Sequence, residues 1–507
     1  MGAFNNLMDG FLLAGTPEGL LYCLIGVTIG TMVGVLPGLG PVGAMALLFP
    51  ISLKVGPMYG IIMLTGIYFG AMYGGSTTSI LINVPGEACS VVTCIDGNQM
   101  AKKGRAGAAL AVCAIGSWVA GTAGIVLITL FAPPLARIAL TLGPQEFFSI
   151  MLFGLIVLSS ATGGSPLKSL LAVLLGMMFG TVGLDVLTGA NRFTFGFFQL
   201  SKGIQTVSLV MGLFGFSEVL SALIKPYDIK DAIKVRFKDL YPKKEELKRS
   251  VMPIIRGTLC GLPIGLLPGS STLVATLLSY RTEKFFAKDP SRFGKGAIEG
   301  VAGPESANNA AATAGMIPLL ALGLPFSPIT AILMGAFMVH GVIPGPFLIT
   351  QHSGLFWAVV ASFYIGNVML LILNFPLVGI FASLTKVRCS ILMPIVAGMV
   401  IIGVYALDSN SFDLWIALIF GILAYIMKEL VDFPLVPIII GYILGPMVEK
   451  SFRQAMVLSE GSLFAIMQRP ISAVFLSAAF LILVIGLVRY FLRITKGNAM
   501  VSENSEL

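Results

Sequence analysis

Charge is what this sequence has least of. Only 11% of its 507 residues are Asp, Glu, Lys or Arg, against roughly 25% in soluble domains. With 56% hydrophobic residues and a mean hydropathy of +0.93, the balance excludes a soluble globular protein and indicates an all-α polytopic membrane protein. Histidine is nearly absent, with His340 and His352 alone, and there is no His-Glu-x-x-His pair, which excludes a zinc-protease site. Six cysteines include no Cys-x-x-Cys pair; they read as small packing residues rather than a redox or structural-zinc set. No Walker A sequence occurs, which excludes a P-loop ATPase. Met1 to Pro17 contains no Lys or Arg, so the basic n-region of a secretory signal is missing and the first helix is expected to be retained. The formal charge of +8 resides in short loops between apolar runs, a positive-inside pattern rather than a nucleic-acid surface.

Glycine and proline are plentiful, at 59 and 28 residues, and they fall inside the apolar runs. One nine-residue stretch occurs twice, Gly30-Thr-Met-Val-Gly34-Val-Leu-Pro37-Gly38 and Gly261-Leu-Pro-Ile-Gly265-Leu-Leu-Pro268-Gly269, with five of nine positions identical. The offset of 231 residues is close to half the chain. Proline lacks an N–H and clashes with the preceding turn, while glycine accepts backbone angles other residues resist, so a helix is expected to break at each copy. A broken helix leaves backbone polar groups that are tolerated in a membrane only when buried in protein or lining a wet cavity. Breaks at matching places in two halves point to a transporter site between inverted repeats.

Spans of suitable length begin with Pro17 to Pro37, Tyr59 to Pro85, Ala106 to Leu130, Phe147 to Ser160, Leu167 to Leu187 and Val207 to Ile224. The second half offers Val251 to Tyr280, Ala310 to Gly323, Ile329 to Ile343, Leu355 to Leu384, Ile391 to Ala406, Leu414 to Ile426, Pro434 to Met447 and Ile471 to Leu492. About 12 transmembrane helices plus re-entrant pieces are expected. The reading divides the chain into an N-terminal transmembrane repeat (1–224), a basic linker (225–250) assigned to the cytoplasm, a C-terminal repeat (251–470), and a terminal helix with a cytoplasmic tail (471–507). The linker carries nine Lys or Arg against five acidic residues. Trp118, Trp357 and Trp415 are candidate interfacial anchors.

Polar residues at membrane depth mark the chemistry. Tyr73-Gly-Gly-Ser76-Thr77-Thr78-Ser79 places four hydroxyls beside a Gly-Gly pair, and Asn83-Val-Pro85-Gly86-Glu87 follows. Neutral oxygens suit a hard cation such as sodium, and N–H groups at a half-helix start suit a carboxylate. The bland alternative is that the hydroxyls bond back to the preceding turn. In the second half, Pro304-Glu305-Ser-Ala-Asn308-Asn309 runs to Thr313, and Leu322-Gly-Leu-Pro325 follows. Adjacent helical residues point about 100° apart, so one amide at most faces a given ligand. Ile80 to Pro85 and Leu320 to Pro325 share their pattern at offset 240, with only the proline identical. Glu87, Asp96 and Glu305 are the ionisable residues near the breaks and are candidate coupling carboxylates. A carboxylate beside the site repels an anionic substrate unless a cation or proton neutralises it.

Taken together, Leu36-Pro-Gly-Leu-Gly-Pro41, Tyr73 through Glu87, Asp96-Gly97, Phe195, Pro304 through Asn309, Gly341-Val-Ile-Pro-Gly-Pro346 and Phe412-Asp-Leu414 resemble the large membrane subunit of tripartite tricarboxylate transporters. The likeness runs from about Gly30 to Gly445. It implies a bacterial inner-membrane secondary transporter, driven by a sodium or proton gradient, that imports citrate or related organic carboxylates. It also implies two partners, a small four-helix membrane subunit and a periplasmic solute-binding protein. Two places depart from the family pattern: Pro268-Gly-Ser270-Ser271 stands for Pro-Gly-Ala-Gly, and Phe326 puts a ring where a glycine is usual. The expected substrate contacts are Gly38, Gly40, Asn83, Pro85, Gly86, Gly269, Ser270, Ser271, Asn308, Asn309 and Pro325. The expected cation contacts are Ser76, Thr77, Thr78, Ser79 and Thr313. No cofactor beyond the coupling ion and no catalytic residue is expected. The rival readings are a stand-alone carboxylate carrier or cation antiporter, and a membrane-embedded enzyme using Glu87, Asp96 or Glu305.

Overall fold

The structure is a computed structural model that describes residues 2–36, 40–161, 165–185, 188–224, 240–269, 271–384 and 389–503. Gly38, Ser270 and the linker residues 225–239 lie outside the described residues. The first half contains α1 (Gly2–Ala14), α2 (Pro17–Val35), α3 (Gly40–Lys54), α4 (Pro57–Ile82), α5 (Val91–Lys102), α6 (Ala106–Ala139), α7 (Pro144–Ala161) and α8 (Pro166–Gly180). A short antiparallel hairpin, β1 (Gly183–Leu184) and β2 (Asn191–Arg192), leads into α9 (Thr206–Val210), a π-helical turn and α10 (Ser217–Ile224). The second half contains α11 (Lys244–Gly265), α12 (Ser271–Phe286), α13 (Glu299–Ala314), α14 (Pro328–Val339), α15 (Pro346–Gln351), α16 (Ser353–Asn374) and α17 (Val378–Leu384). It ends with α18 (Cys389–Asp408), α19 (Ser411–Glu429), α20 (Val436–Leu458), α21 (Leu463–Met467) and α22 (Pro470–Glu503). Among the described residues, five helical stretches are long and apolar enough to cross a membrane: α2, α6, Thr206–Ile224, α16 and α19.

Glycine ridges set the packing at the centre. Gly26, Gly30 and Gly34 on α2 lie against the backbone of Met63, Ile67 and Ala71 on α4, so close that a Cβ at any of the three would overlap a carbonyl oxygen. Gly257, Gly261 and Gly265 on α11 lie in the same way against Gly303, Ala307 and Ala311 on α13. Lipid tails are as apolar as leucine, so helix association in a bilayer depends on such close backbone approach. The two ridges repeat the sequence offsets, 231 residues on the first helix of each pair and 240 on the second.

Helix directions follow from the contacts. Residue numbers rise together along α2 and α4, and along α11 and α13, so each pair is parallel. The long helix of each half crosses to the other half. From α6, Gly116 meets Ala302 and Ser306, and Gly124 meets Thr313, all on α13. From α16, Gly366 meets Cys23 and Val27 on α2. Asn367 of α16 donates to the Trp118 carbonyl of α6 at 2.9 Å, while Trp357 and Pro133 from the same helices line one cavity; α6 and α16 are therefore antiparallel.

Several expected spans have different bounds, each for a local reason. The run Val251 to Tyr280 is two helices, α11 and α12, separated at the Pro268-Gly269 break. The span expected from Ala310 starts at Glu299, because α13 is built largely from Gly, Ala, Ser and Asn that carry little hydropathy signal yet are buried throughout. The run Leu355 to Leu384 ends its first helix at Asn374. Trp357 is buried, with its backbone against Gly10 of α1, and is no interfacial anchor; Trp415 is exposed.

Basic loops gather at one end. Arg105 donates to Glu246 at 3.0 Å, Arg249 to Glu299 at 2.9 Å, Arg256 to Glu283 at 2.8 Å, and Lys103 to the Lys295 carbonyl at 2.6 Å. Burial pushes the Glu246 carboxyl up, but the hydrogen bonds from Arg105 and the Lys243 N–H, with the charges of both residues, together outweigh it and hold the group below the usual carboxylate range. In sequence the hairpin precedes the stretch Thr206–Ile224, and the helix α11 that carries Glu246 and Arg249 follows it. At the hairpin end, Arg192 donates to Glu449 at 2.9 Å and Arg453 to Asp185 at 3.2 Å, while Phe193, Phe195, Phe197 and Phe198 are exposed.

Candidate functional site

Both halves end a helix on a left-handed residue at the matching position. Asn83 follows α4 with φ 57°, and Gly323 follows the π turn after α13 with φ 71°. Glycine takes this conformation without steric cost, and asparagine is the usual substitute at a helix C-cap. At the Pro-Gly breaks, Gly40 has φ 56° and Gly269 has φ 116°. The Gly269 N–H donates to the Phe326 carbonyl at 3.0 Å, which ties the two breaks of the second half together.

Residues that follow or belong to the breaks, Gly40, Glu87, Gly269 and Phe326, meet around one cavity of about 310 Å³. Its wall includes the first turns of three helices: Gly40, Pro41 and Val42 of α3; Ser271, Thr272 and Leu273 of α12; and Pro328 and Ile329 of α14. Glu87, Ala88 and Cys89, which lead into α5, complete the rim with Tyr68, Met72, Gly265, Gly269, Ala311, Gly315, Phe326 and Ser327. A helix start carries the equivalent of roughly half a positive charge, so three of them at one space favour an anion. At α14 the Ser327 and Thr330 N–H groups are already taken by the Ser327–Thr330 capping pair and Pro328 has none, so the N–H groups left for a ligand are chiefly those that start α3 and α12.

Glu87 is the acidic side chain on this wall. Its Oε1 accepts a hydrogen bond from Asn308 Nδ2 at 3.3 Å. Its Oε2 is buried without a partner, and so is the Oδ1 of Asn308. The neighbouring amide points elsewhere: Asn309 Nδ2 donates to Ser117 Oγ of α6 at 2.7 Å and to the Glu305 carbonyl at 3.2 Å. Gly75 leaves room for the Glu87 side chain, whose Cγ would lie 3.1 Å from a Cβ there. Gly86 packs onto Gly34 and Gly75 with space for no side chain.

The hydroxyl cluster divides in two. Ser76 donates to Glu305 Oε2 at 2.5 Å, and Thr93 of α5 donates to Glu305 Oε1. Thr78 and Ser79 bond back to the Gly75 carbonyl at 3.0 Å each, and Thr313 bonds back to the Asn309 carbonyl at 2.8 Å. Thr77 lines a small space with Ser76, Tyr73, Ser117 and Asn374. Asp96 is buried away from the cavity and accepts from the Gly296 and Ala297 N–H groups at 2.7 and 2.8 Å and from Tyr280 at 2.8 Å. It fastens α5 to the segment that starts α13.

Of the residues singled out in the sequence, the structure therefore brings Gly40, Glu87, Gly269 and Ser271 to the cavity wall, with Asn308 bonded to Glu87 behind it. Asn83 and Pro85 are exposed, and Pro325 is buried next to the lining residue Phe326. Gly38 and Ser270 flank the wall in sequence but are outside the described residues. Sequence reasoning missed Tyr68, Met72, Cys89, Thr272 and Ser327. Thr272 and Ser327 were detectable, since each immediately follows a break and sits at a helix start. Tyr68 and Met72 look like ordinary apolar filling about two turns and one turn, respectively, before the hydroxyl cluster.

No solved structure matches the chain. It is similar to an uncharacterized 52.8 kDa protein from the TAR-I ttuC' 3' region of Agrobacterium vitis, 45% identical over 488 residues, which are 96% of this chain and 97% of the relative. An uncharacterized protein from the TAR-II ttuC' 3' region of the same organism is 41% identical over 228 residues, 45% of this chain and 94% of that relative. The family model of the tripartite tricarboxylate transporter TctA family matches residues 20–440, a stretch that contains every break and every wall residue of the cavity, and the chain belongs to that family.

Proposed function

We propose that this chain is the permease subunit of a gradient-driven bacterial inner-membrane transporter that imports di- or tricarboxylates. The observation that carries the reading is the convergence of three helix starts on one cavity, a geometry that binds carboxylates through backbone N–H groups. The volume of about 310 Å³ suits a small organic acid. The two halves are read as inverted repeats: the parallel pairs α2/α4 and α11/α13 share a glycine ridge, and the long helices α6 and α16, which follow them, run in opposite directions. The basic end is assigned to the cytoplasm and the hairpin end to the periplasm, where a solute-binding protein delivers its cargo; a small four-helix subunit completes the assembly. Transport rather than catalysis is the reading, and labelled substrate is expected to be recovered chemically unchanged.

The test is uptake into proteoliposomes holding the chain and both accessory subunits, with a panel of labelled di- and tricarboxylates under imposed sodium and proton gradients. Gradient-dependent accumulation that requires the binding protein is expected. Failure to accumulate any carboxylate refutes the reading, and uptake that persists without the binding protein replaces it with a stand-alone carrier.

A further inference from the structure

We propose that Glu87 and Asn308 form a proton-carrying element, closing into a cyclic acid–amide pair when Glu87 is protonated. The two residues already share one hydrogen bond, from Asn308 Nδ2 to Glu87 Oε1 at 3.3 Å. What is left over on each is one buried acceptor, Glu87 Oε2 and Asn308 Oδ1, neither with an N–H or O–H partner; the donor beside the Glu87 carboxyl is the thiol of Cys89, a weak one. Two acceptors facing this situation are both satisfied by one proton: a hydroxyl at Oε2 donates to Oδ1 while the amide N–H goes on donating to Oε1. Orphaned buried polar atoms are costly, at about 1–3 kcal/mol each, so a single proton removes two penalties together.

The surroundings supply no cation that would do the same. The titratable groups that face Glu87 are Tyr68 from α4, Cys89 from the turn before α5, and Glu305 one helical turn from Asn308 on α13. From α12, Thr272 reaches Cys89 and brings no charge. Among the described residues, no Lys, Arg or His forms an ion pair with Glu87 or Glu305. Glu305 differs from Glu87 in that both of its oxygens accept hydroxyl bonds, so the open acceptor is on Glu87.

This inference rests on the proposed transport function and adds its coupling step. Glu87 borders the cavity on which three helix starts converge, so its carboxylate and an anionic substrate compete for the same field. Protonation, Glu87–COO⁻ plus H⁺ giving Glu87–COOH, removes the competing charge before the anion enters. Release of that proton to the opposite side restores the carboxylate and expels the anion with it. Proton and substrate then move in the same direction.

Two measurements on the full chain in liposomes test this. Infrared difference spectra across a pH titration are expected to show a protonated-carboxyl stretch that is absent from Glu87→Gln, and that Asn308→Ala shifts without abolishing. With labelled citrate and labelled succinate as probes and the accessory subunits present, a gradient of one pH unit drives roughly tenfold accumulation per coupled proton. Glu87→Gln, whose amide can keep both bonds of the ring, is expected to lose that accumulation. A carboxyl band unchanged in Glu87→Gln, or pH-driven accumulation unchanged in it, overturns the proposal. Wild-type uptake that follows sodium alone, with a sodium half-saturation moved by Glu87→Gln, overturns it in favour of a bound sodium ion. If the wild type moves neither probe, the transport reading fails separately, and the infrared band alone decides whether the proton sits on Glu87.

Discussion

Replacing the two neighbouring asparagines one at a time separates a ligand-side role from a packing role. Asn308→Ala removes one bond to a carboxyl oxygen, and hydrogen bonds to charged groups are worth about 1.5–3 kcal/mol. The 3.3 Å separation places this bond at the weak end, so about 1.5 kcal/mol, or roughly tenfold in a binding constant, is expected. The loss should appear as a roughly tenfold rise in the concentration of substrate needed for half-maximal uptake. Asn309→Ala removes two bonds, at 2.7 and 3.2 Å, that join α13 to α6 and to its own preceding turn. Side-chain bonds inside membranes average about 0.6 kcal/mol and reach about 1.7, and depriving the buried Ser117 hydroxyl of this partner adds to that, so about 1–3 kcal/mol of stability is at stake. The assay pairs thermal unfolding of the detergent-solubilised protein with uptake titrated in substrate and pH. An Asn309→Ala variant that melts like the wild type, or an Asn308→Ala variant with unchanged half-saturation, refutes the division of roles; identical behaviour of the two refutes it as well.

Gly30→Ala and Gly261→Ala each drive a methyl group into the backbone of the partner helix, and overpacking of this kind costs about 1–3 kcal/mol or more. Both should lower the yield of folded protein in membranes, and normal thermal stability in either would show that the ridges do not hold the centre together. Phe326→Gly removes a ring from the cavity wall and should extend uptake to bulkier carboxylates, read by competition against a labelled probe; an unchanged competition series counts against Phe326 as a selectivity residue. Asp96→Asn weakens charge-assisted bonds to two backbone N–H groups and Tyr280, so a loss of stability with unchanged substrate half-saturation is expected, and a changed pH or sodium dependence would return Asp96 to the coupling step.

Much of the architecture was legible because it depends on residues that break helices. Pro37-Gly38 and Pro268-Gly269 announce interruptions by their own chemistry, and the weak pattern match at offset 240 turns out to align Asn83 with Gly323, the two left-handed caps. What sequence did not reveal is set by partners far along the chain. Nothing near Ser76 indicates that its hydroxyl goes to Glu305, 229 residues away, while its neighbours Thr78 and Ser79 turn back to Gly75. The start of α13 was missed because Gly, Ala, Ser and Asn carry little apolar signal, although small size is what lets that helix lie against the α11 ridge. The bounds of α16 and α17 were legible but missed: the apolar run was read straight through Asn374 and Pro376, where the first helix ends.

The crossing of the long helices has a consequence for biosynthesis. Thr31 of α2 receives its bond from Asn374 of α16, a residue 343 positions later in the chain, and Cys23 of α2 likewise meets Ser362. At a translation rate of about 5–20 residues per second, α2 and α4 wait roughly 17–70 s in the membrane before the helix that covers them has been made. During that interval the part of α2 that later meets α16 lacks that partner and is open to lipid, to the insertion machinery, or to another nascent chain. The interval is thus the period in which the protein is most exposed to mispairing. Slowing translation after α6 should lower the yield of folded protein, whereas slowing it after α16 should not.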